Sequence, residues 1–147
     1  MGLDMYLNAK RFLWNAEESV INKISESFPE LGDAKIKQVT AEVGYWRKAN
    51  AIHKWFVDNV QEGTDDCGTY EVSNEKLKEL LELINKVLAN KKQAHKLLPC
   101  VSGFFFGNTD YDKYYFEDLE YTKTLIEKLV NNETQMKDWY LEYHSSW

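Results

Sequence analysis

Arginine is nearly missing from this chain: the 18 basic residues include only Arg11 and Arg47, and lysine supplies the rest. With a net charge of −6, the composition argues against a protein whose main business is wrapping a nucleic-acid backbone. No DNA or RNA partner is expected. Cysteine is confined to Cys67 and Cys100, without CxxC spacing, which argues against a disulfide framework and for a reducing compartment. Proline occurs only at Pro29 and Pro99, so there is no proline-rich linker. No segment approaches the ~18 apolar residues of a membrane span, and the N-terminus has no basic region followed by an apolar stretch. Gly2 invites a myristoylation reading, but Tyr6 stands where that pattern wants Ser or Thr.

Chemical signatures are equally sparse. Neither GxGxxG, a Walker pattern nor a nucleophile elbow is present. His53, Asp65, Asp66 and Cys67 are ligand types without ligand spacing. The reading is therefore of a protein with no catalytic residues, no cofactor and no metal.

What is present is a globular composition, with 44% hydrophobic and 29% charged residues in 147, suited to one domain over residues 1–147. Leu3, Met5 and Leu7 alternate over residues 3–8, and Val39, Ala41 and Val43 alternate within Ile36–Val43, predicting two strands. Val20, Ile21, Ile24 and Phe28 predict a short amphipathic helix or a hairpin excursion ending at Pro29. A second helix is predicted from Trp46 to about Gln61, on the stripe Ala49, Ile52, Phe56 and Val60. Tyr70–Val72 reads as extended, and Ser73 as the N-cap of a helix carrying Leu77, Leu80, Leu81, Ile84 and Leu88. Ala94, Leu97 and Leu98 predict a short turn before Pro99, and a long helix is predicted from Asp110 to Asn131. Trp139, Leu141 and Tyr143 alternate again, and that strand is expected to pair with the N-terminal one. The fold class is α+β: a small antiparallel sheet of terminal and early strands covered by a layer of three to four helices.

Two segments carry more chemistry than packing requires. In Ser102–Asp118, Gly103 and Gly107 bracket Phe104, Phe105 and Phe106, and Asp110, Tyr111, Asp112, Tyr114, Tyr115, Glu117 and Asp118 follow. Glycines beside rings suit a bent backbone at a pocket wall, and hydroxyl-bearing rings suit a site with apolar walls and a wet mouth. In Tyr45–His53, the Arg47 guanidinium is suited to a phosphate, with Tyr45 and Trp46 as stacking rings. The candidate ligand-binding set is Tyr45, Trp46, Arg47, Asn50, His53, Ser102, Gly103, Phe105, Gly107, Asp110, Tyr111 and Tyr114. Each has a plainer reading: a ring as core, an arginine stem over a tryptophan, a first-turn carboxylate as a dipole partner, and His53 as a half-buried structural histidine. Exposed Trp55 or Trp147 are candidates for sealing a homo-oligomer interface.

The blocks Met1–Leu7, Glu42–His53 and Ser102–Asp118 resemble a family of small uncharacterised proteins of tailed bacteriophages. The resemblance implies expression in the cytoplasm of an infected bacterium, but supplies no activity and no catalytic residues; Phe12–Lys35 matches none of its blocks. Joined to the pocket chemistry, it leads to the expectation of a non-enzymatic protein that sequesters a nucleotide-derived signal of host antiviral defence. Arg47 would take a phosphate, and Asn50 or Asp110 the base or ribose. The alternative is a protein–protein inhibitor of a host defence or metabolic enzyme, with a host protein as partner. A hydrolase that cleaves the signal is the reading least favoured.

Overall fold

In the computed structural model, which describes residues 2–14 and 16–147, four antiparallel strands form one sheet in the order β2-β1-β4-β3. Met1, the first residue of the N-terminal block, lies outside the described residues. The strands are β1 (Asp4–Phe12), β2 (Gln38–Arg47), β3 (Thr69–Val72) and β4 (Tyr140–Ser146). The helices are α1 (Glu18–Glu26), α2 (Asn50–Asn59), α3 (Asn74–Ala89), α4 (Ala94–Leu97) and α5 (Lys113–Asn131). The α+β class and the pairing of the C-terminal strand with the N-terminal one are as the sequence indicates.

Alternation decides which face of the sheet is covered. Leu3, Met5, Leu7 and Ala9 at the start and along β1, Trp46 on β2, and Leu141 and Tyr143 on β4 all point into one buried cluster. The helices supply Ile52 and Phe56, then Leu77, Leu80 and Ile84, and then Leu119 and Ile126 to the same cluster. Ser73 Oγ accepts the Lys76 amide at 3.2 Å, so α3 begins where the sequence places it. Among the described residues, no helix is long and apolar enough to cross a membrane.

Three expectations are corrected. The stretch at Trp46 is strand, because alternation continues through it: Trp46 is buried and donates its indole N–H to Thr122 Oγ1 at 2.8 Å, while Tyr45 and Arg47 point outward. Helix α2 therefore starts at Asn50, after an inverse γ-turn at Ala49 (φ −75°, ψ 66°) closed by the Asn50 amide on the Lys48 carbonyl. Helix α5 starts at Lys113 rather than Asp110, because Asp112 is the residue whose carboxylate accepts the Tyr115 amide. Trp55, expected at the surface, is buried edge-on against Phe56, whereas Trp147 is exposed.

Candidate functional site

The turn after β2 and the loop before α5 meet because one side chain joins them. Asn50, at the first position of α2, donates from Nδ2 to the carbonyls of Phe106 (3.0 Å) and Asn108 (2.8 Å), and its Oδ1 accepts the Val101 amide (3.1 Å). Three bonds to three points of one loop leave the loop little freedom relative to the helix. The Leu3 amide adds a bond to the Phe105 carbonyl at 3.0 Å, tying the loop to the sheet as well. The loop can turn tightly because Gly103 places no Cβ where Phe106 lies, and because Gly107 takes a φ of +83°, which suits glycine.

Between the two segments lies an open cavity of about 430 Å³, within the range of small-molecule sites. Its floor is apolar, formed by Ala49, Ile52, Tyr115 and Leu119. Arg47 and Lys48 bring two cations to its lining. Four carboxylates line it as well, Asp110 and Asp112 ahead of α5 and Glu117 and Asp118 on it. Tyr114 stands at the cavity, 70% exposed.

The charged groups differ in their surroundings. Arg47 Nη1 lies 3.2 Å from Asp4 Oδ1, and that same carboxylate accepts the Tyr45 hydroxyl, so the guanidinium is partly engaged at the outer face of the sheet. Burial, reinforced by Glu117 and Asp112, pushes the Asp118 carboxyl up to about 6. Cys100 also lines the cavity, and burial raises its thiol above the ordinary value, which is the reverse of an activated thiolate. The N-terminus of α5 is filled by Asp112, so its amides do not present the bare anion site that a helix start could offer.

Of the residues singled out by sequence, Arg47, Asn50, Gly107, Asp110 and Tyr114 line this cavity. The others lie elsewhere. Tyr45 is on the outer face of the sheet and Trp46 is in the core, so neither ring is placed to stack on a molecule in the cavity. Gly103 forms a turn with Phe106 beside exposed Ser102, and Phe105 contributes its carbonyl to the sheet contact. Tyr111 packs edge-on against Tyr115, and its hydroxyl accepts the Cys100 amide. His53 is 1% exposed, with Nδ1 at 2.7 Å from the Tyr143 hydroxyl and Nε2 at 3.1 Å from Asp65, which also accepts the Trp147 indole N–H. Its environment is structural. Among the described residues, no group of three His, Cys, Asp or Glu side chains is arranged to hold a metal ion.

Lys48, Asn108 and Asp118 also line the cavity, outside the set that the sequence singles out. The signal for Lys48 was its place beside Arg47, and for Asp118 its place in the acidic segment, but neither reveals which side of the fold a side chain faces. Compared with protein-family models, with curated proteins and with solved structures, the chain matches none of them.

Proposed function

We propose that this chain is a bacteriophage protein that binds, without catalysis, a nucleotide-derived signalling molecule in the cytoplasm of the infected host and so withdraws it from antiviral defence. The observation that carries the reading is the cavity, whose lining combines two cations, four carboxylates and apolar residues. Such a site matches a ligand with an anion at one end and hydroxyl or amino donors at the other, the charge layout of a nucleotide. The cations would hold phosphate. The carboxylates of Asp110 and Asp118 would accept from ribose hydroxyls or base amines, and Tyr114 offers a ring at the mouth. Sequestration asks for slow release and no chemistry, and the raised thiol of Cys100 suits an inert lining better than a nucleophile.

Thermal-shift and calorimetric titration against cyclic di- and trinucleotides and ADP-ribose derivatives tests the proposal. The expected result is a rise in melting temperature with at least one of them, with the nucleotide recovered unchanged after denaturation. A panel without a single shift, together with a defined host protein retained in a lysate pull-down, would replace this reading with that of a protein–protein inhibitor.

A further inference from the structure

Lys48 occupies a backbone conformation that lysine does not choose. Its φ is +59°, in the left-handed region where a residue with a Cβ is disfavoured. The conformation is imposed from both sides. The Lys48 amide donates to the Leu3 carbonyl at 2.8 Å, and the Lys48 carbonyl accepts the Asn50 amide at 2.8 Å, fixing the residue between β1 and α2.

Lys48 is exposed, but its aliphatic stem runs close to two glycines. A Cβ built on Gly107 would meet Lys48 Cβ at 3.3 Å and Cδ at 3.4 Å, and one built on Gly2 would meet Lys48 Cε at 3.2 Å. Two glycines thus form a slot along which the aliphatic stem runs. Neither position leaves comfortable room for alanine, and at Gly107 the positive φ excludes it independently. Among the described residues, the Lys48 ammonium makes no ion pair, although it lines a cavity with four carboxylates. Arg47, in contrast, is paired with Asp4.

Backbone strain that the surroundings enforce clusters at ligand clamps, and at Lys48 it coincides with a cation that lines the cavity and makes no ion pair among the described residues. The charge of the site then limits the ligand. The lining holds two cations and four carboxylates, of which Glu117 is also paired with Lys113 at 3.3 Å, so a terminal phosphate group carrying about −1.5 to −2 at neutral pH would meet more repulsion there than a phosphodiester group carrying a single charge. We infer that Lys48, rather than Arg47, is the anion anchor of the cavity, and that the group it takes is a phosphodiester. This inference rests on the nucleotide-binding reading above and narrows it to ligands without a free phosphate end.

The test uses the full chain, with 3′,3′-cyclic di-AMP and its ring-opened linear form pApA as probes, in calorimetric titration at neutral pH. Wild type is expected to bind the cyclic compound at least about tenfold more tightly than the linear one, whose extra charge comes from its terminal phosphate. Lys48→Gly is expected to bind the cyclic compound at least about tenfold more weakly than wild type, as befits loss of a charge-assisted bond, while Arg47→Ala loses less. Because glycine accepts a positive φ freely, Lys48→Gly should melt at or above the wild-type temperature, which separates lost binding from lost fold. Unchanged affinity in Lys48→Gly, or equal binding of both probes, would overturn the inference while leaving nucleotide binding intact. Failure of wild type to bind either probe or any other phosphodiester nucleotide would overturn this inference, and failure to bind the ADP-ribose derivatives too would remove the nucleotide reading with it.

Discussion

Asp118 is held at a cost that a pH titration can reveal. Its carboxyl is pushed up to about 6, first by burial and then by Glu117 and Asp112, against an ordinary value near 3.8 that the unfolded chain would show. Between those two values the native state binds more protons than the unfolded state, so stability falls as pH rises through that window. The contribution is fully present below about pH 4 and is lost above about pH 6. Asp118→Asn keeps the shape and removes the ionisation. The variant should match wild type near pH 4 and exceed it by about 1–2 kcal/mol at pH 8, a figure reduced for the partial exposure of the site. Urea melts at a series of pH values provide the check, and parallel pH profiles for the two proteins would show that Asp118 ionises freely. Asn50 teaches a related lesson at this scale. Sequence marked it as a ligand contact, yet both of its polar atoms are spent on the loop from Val101 to Asn108. An amide with two donors and an acceptor suits either task, and composition does not say which partner arrives first.

Among the elements, β2 and α5 show where periodicity misleads and what corrects it. Trp46, Ala49, Ile52 and Phe56 fall at helical spacing and are all buried, but Trp46 reaches the core from a strand and the other three from the turn and helix that follow. Apolar residues three and four apart read as one helix unless something marks the break, and here the break is an inverse γ-turn without glycine or proline. The same region contains a cue of the opposite kind. At Gly44, α5 packs tightly on β2: a Cβ there would lie 2.4 Å from Leu125 Cδ2 and 3.2 Å from the Trp46 ring. Its φ is not positive, so the requirement is for space and not for backbone freedom. Gly44→Ala should cost about 1–3 kcal/mol through overpacking. If the Leu125 contact is the cause, Gly44→Ala combined with Leu125→Ala should be no less stable than Leu125→Ala alone, a strong departure from additivity measurable in a double-mutant cycle. Additive losses would locate the strain in the strand instead.

At the scale of the molecule, the chain ends were legible because each carries its own alternation. β1 shows Leu3, Met5, Leu7 and Ala9, and β4 shows Leu141 and Tyr143, as period-two apolar positions facing the core. The cavity was legible only as two suspicious segments. That they meet depends on the Asn50 bonds and on the Leu3 amide reaching Phe105, long-range contacts that no local pattern encodes. The order β2-β1-β4-β3 has a consequence for folding. β4 is an inner strand, paired antiparallel to β1 from Tyr140 to Ser146 and to β3 from Leu141 to His144. Without it, β3 has no neighbour, β1 becomes an edge with exposed hydrogen-bonding groups, and Leu7 and Phe56 lose the ring of Tyr143, which stacks on Phe56 at 4.0 Å between centroids. The buried His53 would also lose its Tyr143 partner, and Asp65 its bond from Trp147. A chain ending at Asp138 should therefore show no cooperative thermal or urea transition and a collapsed amide spectrum, because the helices keep only the two-stranded β1–β2 ribbon to cover. A truncated chain that still melted cooperatively, with native helical circular dichroism, would mean that β1, β2 and the helical layer form a core of their own. β4 would then be an addition to the fold instead of its centre.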